Sequence, residues 1–412
     1  MNKSQDAALY ISFAVLAGIA IPALVFGRAV FAVIVALAGL AVIFSSLRPL
    51  AWRGLLEQAN RWTGRLVLLT LGIWLISAFV QSPFPLKSAE AAVRTVAFLA
   101  LGIMIFEALK RNSGLADISL NIFIASAFVF SVLAIAAMTY LPELFWLMRL
   151  KGWIGTPLQN ELKSFSSLAV LTVPLLAYGA YTRRGGWRAA SIISLLIFLV
   201  LVWITYNRAT MAGLLGVVSA LSIAAMLRGR SLWSKYGPTV VLLAAIAGLA
   251  YWLRLDRIYY ALQSPQSDWL FPIWLIDFQR QAIWTYTLEI FQHAPWFGVG
   301  ANTINFVPGA STQIPGTYGL HAIPSHPHNW GLEVLAETGV LGLLGLCGTV
   351  IATVFQLLKR YRASGNFAVL TAIMIMGGFW VSGLFNYSFW SAWWQVSFFL
   401  SVAIALAHET ND

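Results

Sequence analysis

Two histidines in a proline-containing turn offer the clearest chemistry in this sequence. His326 and His328 lie in PSHPHNWGLEVLAETGVLG, residues 324–342, which continues as a long apolar stretch. A neutral imidazole can take a proton from a hydroxyl group near pH 7. His328 stands at the start of the predicted helix, where the helix dipole and nearby arginines are expected to lower its pKa. We therefore expect His328 to be a general base; the alternative is a histidine that only caps the helix.

The helix predicted after His328 carries small and acidic residues. Gly339 and Gly342 share the face of His328 and would let another helix approach closely, which would fix how the histidine is presented. Glu333 and Glu337 lie one turn apart on another face. Ionisable groups in a membrane span need partners. We expect each glutamate to pair with an arginine rather than to take part in catalysis.

The composition of the chain predicts an all-α polytopic membrane protein. Of its 412 residues, 59% are hydrophobic and only 10% are charged, and apolar runs of about 20 residues are typical of transmembrane helices. We predict about twelve spans in a single membrane domain, residues 1–412. They are 8–26, 29–47, 66–80, 93–109, 119–140, 165–182, 187–206, 209–227, 238–254, 328–358, 366–385 and 389–407.

The distribution of Lys and Arg predicts the orientation. These residues are more frequent in the alternating set of short connectors that includes both termini, which places that set and the termini in the cytoplasm. The long connectors 141–164 and 255–327 then face the periplasm. The net charge of +11 agrees with this bias and with attraction to anionic lipids. Nucleic-acid binding is not expected, because no basic stretch lies on a soluble domain.

The connector 255–327, between the ninth and tenth predicted spans, is the largest element outside the membrane. Its segment 272–292 has apolar residues at helical spacing and polar residues on the other faces, which predicts an amphipathic helix. Such a helix could anchor on the membrane surface or cover a site. Four of the five histidines of the chain lie between 293 and 328.

The histidines do not predict a metal site. His326 and His328 have the His-x-His spacing of some metal ligands, but Pro327 restricts them and carboxylates are sparse nearby. Cys347 is the only cysteine and falls inside a predicted span. We therefore expect no bound metal and no cofactor.

The predicted exterior connectors hold a set of basic side chains. Arginine forks suit the oxygens of phosphate groups, so this set could bind an anionic substrate beside the histidines. The residues of the set are Arg149, Lys151, Lys163, Arg208, Arg254, Arg257 and Arg280.

The motif around His328 resembles the O-antigen ligase family. His328-Asn329 followed by Gly339 and Gly342 is similar to the His-Asn…Gly-x-x-Gly signature of that family. The predicted topology, with a large exterior loop before the histidine helix, is similar as well.

Three further segments carry the same resemblance. HAPWFGVG, which ends with Gly298 and Gly300, resembles the Gly-Val-Gly turn of the family's periplasmic loop. Arg280 with Trp284 resembles an Arg-x-x-x-Trp segment before that turn. Arg208 lies in Asn-Arg-Ala, which resembles a Ser-Arg-Gly/Ala exterior turn.

The resemblance implies a glycosyl transfer in lipopolysaccharide biosynthesis, at the periplasmic face of the bacterial inner membrane. A glycan on undecaprenyl pyrophosphate would be moved to a sugar hydroxyl of lipid A–core oligosaccharide by an inverting, metal-independent displacement. His328 would be the base, and Arg208 and Arg280 would stabilise the pyrophosphate. The glycines would be structural, and the fold would be similar to C-type membrane glycosyltransferases. The residues expected to bind substrate are Arg149, Lys151, Lys163, Arg254, Trp284, His326 and Asn329.

Several alternatives stay open at this point. An O-antigen polymerase or a protein O-oligosaccharyltransferase of the same superfamily would have similar motifs. A transporter of lipid-linked glycan would need ionisable residues along a path through the bundle. Within the site, His326 is the second candidate for the base.

Overall fold

The computed structural model describes residues 3–149, 158–263, 271–314, 319 and 321–409. Within those residues the regular structure is helical, without a strand. The predicted all-α polytopic class is confirmed. The α-helices are α1 (Lys3–Ala20), α2 (Arg28–Phe44), α3 (Arg48–Asn60), α4 (Trp62–Val80), α5 (Pro85–Lys110), α6 (Ser113–Thr139), α7 (Pro142–Met148), α8 (Leu158–Ser167), α9 (Ala169–Thr182), α10 (Gly185–Ile204), α11 (Arg208–Arg228), α12 (Leu232–Gln263), α13 (Phe278–His293), α14 (Trp330–Ser364), α15 (Phe367–Gly383) and α16 (Ala392–Leu406).

The number of full-length spans is lower than the predicted twelve. In the described part of the chain, seven helices are long and apolar enough to cross a bilayer, or nine spans if the bent pairs α2–α3 and α8–α9 each count as one. Three shorter apolar helices, Asp6–Ala20 in α1, α15 and α16, lie at the other predicted positions. The first is cut short because a 3-10 turn begins at Pro22. The other two are separated by the irregular segment 384–391.

Glycines bring α11 and α15 into close contact. A Cβ atom on Gly216 would lie 2.4 Å from the carbonyl oxygen of Gly377, and a Cβ atom on Gly377 would lie 2.4 Å from that of Gly216. Small residues allow helices in membranes to approach this closely. The contact holds Arg208, the first residue of α11, in a fixed relation to segment 384–391, which follows α15.

The contacts of α11 and α14 define the two ends of the bundle. Arg228, at the end of α11, donates hydrogen bonds to the carbonyl oxygens of Tyr361 and Arg362, near the end of α14. Since both helices end together, both also begin at one end of the bundle. This end, which we call the histidine end, carries Arg208 and His328. α12 runs back towards it and continues past the predicted limit at 254 to Gln263.

The predicted amphipathic helix of the long connector is present as α13. It begins at Phe278, later than the predicted start at 272, and packs against α14. Ile283, Thr287 and Ile290 are buried along its inner face. The turn before the helix is held by Gln281, whose side chain bonds to backbone groups of that turn.

α14 is broken at Gly339, whose φ of 69° and ψ of −177° do not fit a helix. The break releases the carbonyl groups of Ala336 and Glu337 from their helical partners. Instead, they accept hydrogen bonds from the loop that follows α13. The carbonyl of Ala336 accepts from the amide of Val299 at 3.0 Å, and that of Glu337 accepts from the amide of Gly300 at 2.7 Å. Backbone polar groups at membrane depth must be satisfied inside the protein, and this loop supplies the partners.

The glycines of the two motifs permit this contact. A Cβ atom on Gly298 would lie 2.3 Å from the carbonyl carbon of Glu337, and one on Gly339 would lie 2.1 Å from the oxygen of Trp296. The element that packs closely against Gly339 is therefore the loop that contains Trp296. The expectation that another helix would pack against Gly339 was wrong. At Gly342 the neighbouring element is α4, whose tryptophan ring would lie 3.0 Å from a Cβ atom.

Gly339→Ala is expected to lower the free energy of unfolding by about 2–4 kcal/mol, because it combines a positive φ with a steric clash. The midpoint of thermal unfolding in detergent measures the effect. Gly348→Ala is the matched control, since a Cβ atom there meets nothing within 4 Å. Equal midpoints for the two variants would contradict this account of the break.

Candidate active site

The two histidines of the turn meet at one backbone oxygen. Nε2 of His326 lies 2.6 Å and Nδ1 of His328 lies 2.9 Å from the carbonyl oxygen of Asn386, in segment 384–391. The ring centroids are 4.3 Å apart. A carbonyl oxygen only accepts hydrogen bonds, so both of these nitrogens carry protons. In neutral His328 the unprotonated nitrogen is then Nε2, the atom that could act as a base.

The turn holds His328 outside the helix. Its φ of 57° is unusual for a residue other than glycine. Asn329 follows as the helix cap, and its side-chain oxygen accepts from the amide of Leu332 at 3.1 Å. The predicted substrate-binding residue Asn329 thus has a structural role as a cap, since its amide group orients the start of α14.

Both histidines are neutral at pH 7. Burial lowers the pKa of His328, and the positive charge of Arg280 lowers it further. Burial, followed by the proximity of His328, lowers the pKa of His326 to about 4. The predicted influence of arginine on His328 is present, but burial is the larger cause.

α13 supports the histidine turn from the side. Nε1 of Trp284 donates to the carbonyl oxygen of Pro327 at 3.0 Å, between the two histidines. Arg280 lies one turn earlier on α13, within electrostatic reach of His328. Asp277 caps α13 through a 3.0 Å bond from the amide of Arg280 and lies 3.8 Å from its Nε. The Arg-x-x-x-Trp segment thus places a cation and a structural anchor at the same turn.

A basic cluster lies at the histidine end around Arg280. Lys163 of α8 is within electrostatic reach of both Arg208 and Arg280. Arg208 forms an ion pair with Asp256 of α12. The guanidinium of Arg257 is almost fully buried and donates to two backbone oxygens of the turn before α13. The structure therefore joins four of the predicted basic residues, with carboxylate partners that sequence reasoning did not anticipate.

The other predicted basic residues lie differently. Arg149 is partly buried and donates to the carbonyl oxygen of Glu161 at 3.1 Å. It is grouped with Arg28, which stacks over the ring of Trp393 at 5.2 Å. Arg254 is exposed on α12. Lys151 lies outside the described residues.

The buried glutamates of α14 bind backbone amides. Glu337 accepts from the amides of Asn302, Thr303 and Ile304 at 2.8–3.0 Å and from the Trp390 indole. Across the described ranges no ion pair involves Glu337 or Glu333. The expected pairing with arginine was therefore wrong, because main-chain donors take the place of the cation.

Glu333, one turn earlier, binds segment 384–391. Its oxygens accept from the hydroxyl of Ser388 at 2.6 Å and the amide of Phe389 at 2.7 Å. Between Asn386 and Ser388, Tyr387 shares a hydrogen bond with Ser167 of α8.

The sequence analysis did not identify several residues of the site. Asn386 contributes a main-chain oxygen, for which the residue type gives no signal, and a side chain that hydrogen-bonds to His328. Asp277 could have been recognised as a cap before a predicted helix. In the described part of the chain, no group of three His, Cys, Asp or Glu side chains could hold a metal ion.

The fold and the site together define a class: a polytopic, all-helical membrane protein with a histidine pair beside a basic cluster at one end of its bundle. Residues 193–347 match the model of the O-antigen ligase family. The matched segment includes Arg208, Arg280 and His328, and Asn386 lies beyond it. The resemblance recognised from the motifs is confirmed, and it supports the O-antigen ligase and polymerase superfamily.

Curated relatives agree with this match. A protein of Rickettsia typhi named as a polysaccharide ligase is 28% identical over 123 residues, which is 29% of each chain. Similar proteins of Rickettsia prowazekii and Rickettsia conorii are 26% and 24% identical over 121 and 119 residues. The alignments thus span under a third of the length of these relatives.

Acidification from pH 6.5 towards 4 is expected to destabilise the fold through His326. The unfolded histidine titrates near 6.5 and the folded one at about 4. Between these values the unfolded chain binds more protons, so the free energy of unfolding decreases as the pH falls. Thermal unfolding midpoints at pH 7, 5.5 and 4.5 measure this slope. His326→Asn should flatten it, and an unchanged slope would refute the assignment.

Proposed function

We propose that this protein is a glycosyltransferase of the polysaccharide ligase type. It transfers a glycan from undecaprenyl pyrophosphate to a sugar hydroxyl of lipid A–core oligosaccharide, at the periplasmic face of the bacterial inner membrane. The termini are then cytoplasmic, and the connector between α12 and α14 is periplasmic. The match of residues 193–347 to the O-antigen ligase family supports the reaction class.

One observation carries the proposal: the imidazole of His328, with Nδ1 bound to the Asn386 oxygen, lies within electrostatic reach of Arg280. A base and a cation next to each other are what transfer from a pyrophosphate donor requires. The base must be unprotonated to accept the hydroxyl proton, and the cation must face the charge that develops on the leaving group.

The reaction then proceeds as one displacement. Nε2 of His328 takes the proton of the acceptor hydroxyl, and the acceptor oxygen forms a bond to the anomeric carbon of the donor glycan. The bond between that carbon and the pyrophosphate oxygen breaks from the opposite side, which inverts the anomeric configuration. Arg280 and Arg208 stabilise the departing undecaprenyl pyrophosphate, and Lys163 adds positive charge. No metal ion takes part.

The two arginines have carboxylate partners without substrate. Arg208 is paired with Asp256, and Asp277 lies beside Arg280. These aspartates keep the guanidinium groups in place before the donor arrives. A pyrophosphate carries more charge and more acceptor oxygens than either carboxylate, so the donor can share or replace them.

The central experiment reconstitutes the purified protein with a glycan on undecaprenyl pyrophosphate and with lipid A–core. Transfer to lipid A–core is expected for the wild type, and His328→Ala should reduce it at least about 1,000-fold by removing the base. His321→Ala is the matched control, since His321 is an exposed histidine of the same loop. Turnover by His328→Ala at the control rate would exclude the base role.

The same assay separates the alternatives. Elongation of the lipid-linked glycan without transfer to lipid A–core would indicate a polymerase, and transfer to a protein would indicate an oligosaccharyltransferase. Full activity in EDTA is expected; loss that a divalent ion restores would contradict the metal-independent reaction. Movement of lipid-linked glycan across the bilayer without a new product would indicate a transporter.

Arg280→Ala and Arg208→Ala are expected to weaken use of the donor more than binding of the acceptor. Each removes a cation that faces the pyrophosphate, at a loss of about 2–3 kcal/mol in kcat/KM for the donor. Steady-state kinetics with each substrate varied in turn measure the effect. Arg188→Ala, at the exposed start of α10, serves as the control. Equal losses for donor and acceptor would argue against pyrophosphate binding.

A further inference from the structure

The shared hydrogen bond of the two histidines depends on the position of one carbonyl group. Asn386 lies in the irregular segment 384–391, so no helical hydrogen-bond ladder fixes its orientation. The protein must hold this segment by other contacts. Those contacts decide whether the oxygen stays within hydrogen-bond distance of both rings.

Glu333 provides the first of these contacts. Its side chain is buried, with 1% of its surface exposed. One oxygen accepts from Ser388 and the other from the amide of Phe389, the second and third residues after Asn386. The Ser388 hydroxyl also accepts from the amide of Trp390 at 3.1 Å. Glu333 thus organises a short turn of backbone immediately beyond the carbonyl.

A second contact of this segment comes from α8. Tyr387 shares a hydrogen bond with Ser167, and Ser167 is also bound by the side chain of Asn207 at 2.8 Å. Asn207 caps α11. The three residues that follow Asn386 are therefore held by an anchor on α8 and an anchor on α14.

A carboxylate at the Glu333 position requires an explanation beyond packing. Burying an acidic side chain is unfavourable, and an apolar residue in its place would often be neutral or stabilising. A carboxylate can, however, accept from two donors at once and hold them at a fixed separation. This property suits the positioning of an irregular segment.

We propose that Glu333 is a positioning residue that acts through Ser388 and Phe389 to hold the Asn386 carbonyl against the two histidines. The carbonyl in turn keeps the proton of His328 on Nδ1 and leaves Nε2 as the base. The use of that base in glycosyl transfer rests on the proposed function. The control of the tautomer by Glu333 does not.

The electrostatic surroundings of His328 do not provide this control. Arg280 and Asp277 face the ring from α13, and His326 faces it within the turn. The side chain of Asn386 also hydrogen-bonds to the ring. Arg280 and Asp277 change the pKa of His328, whereas the carbonyl oxygen of Asn386 lies 2.9 Å from Nδ1. A free neutral imidazole populates both tautomers, so displacement of the Asn386 oxygen should return His328 to a mixture.

The test is ¹⁵N NMR of the full-length protein labelled at histidine, near pH 7.5, without substrate. The His328 signals are identified by their loss in His328→Asn. The wild type should show a proton on Nδ1 only, and Glu333→Gln should show a tautomer mixture. Glu337→Gln is the matched control, because Glu337 is equally buried one turn later but binds the amides of residues 302–304 and the Trp390 indole, not the backbone at Ser388 and Phe389. It should lower thermal stability and leave the His328 tautomer unchanged.

Ser388→Ala covers the case in which Glu333→Gln does not fold, since it removes only one of the two contacts. It should give a partial shift of the tautomer. In the transfer assay Glu333→Gln should lower kcat about 10- to 100-fold with little change in KM, because the base is misoriented. Glu333→Asp should restore part of kcat.

Two results would overturn the proposal. One is a single Nδ1 tautomer in both Glu333→Gln and Ser388→Ala. The other is an equal tautomer shift in Glu337→Gln, which would make the effect a general loosening of the fold. The NMR measurement needs no turnover, so failure of the ligase assay would not affect the conclusion about the His328 tautomer. Loss of the tautomer effect with intact transfer would reject only the role of Glu333.

Discussion

The break of α14 at Gly339 is the constraint on which the rest of the site depends. A helix at membrane depth cannot leave backbone carbonyls without partners, and the break releases those of Ala336 and Glu337. The amides of Val299 and Gly300 satisfy them. The loop that follows α13 is thereby tied to α14 by main-chain hydrogen bonds. Through this tie, α13 can present Trp284 and Arg280 to the histidine turn at the start of the same helix.

The buried acids of α14 also tie other segments to this helix through main-chain groups. Glu337 binds three consecutive amides of the loop, and Glu333 binds the segment that carries Asn386. Neither acid has an arginine partner among the described residues. The arginines Arg208 and Arg280 lie at the histidine end instead, where each has a partly exposed aspartate as its partner. The protein thus uses backbone amides, not guanidinium groups, as partners for its internal acids.

Much of this arrangement could be predicted from sequence, where side-chain type or hydropathy carries the signal. Apolar runs located the helices, helical spacing located α13, and the pairing of His328 with Arg280 followed from the motifs. Apolar helices occupy the twelve predicted positions, but in the described part of the chain those in α1, α15 and α16 are shorter than a full span. Hydropathy does not report where irregular backbone shortens a helix. The role of the Asn386 carbonyl was not predictable, since every residue has a carbonyl group. The partners of Glu333 and Glu337 were missed for the same reason: they are main-chain amides.

The carbonyl oxygen of Asn386 also distinguishes the two histidine rings of the pair. A carbonyl oxygen has two lone pairs, and the two imidazoles use both. His326 donates through Nε2, so its Nδ1 is the acceptor for the Ser325 hydroxyl at 2.8 Å. The two histidines therefore offer opposite ring nitrogens to the same oxygen, Nε2 from His326 and Nδ1 from His328. Two histidines that look interchangeable in the sequence are thereby unequal, because their unprotonated nitrogens lie at different ring positions.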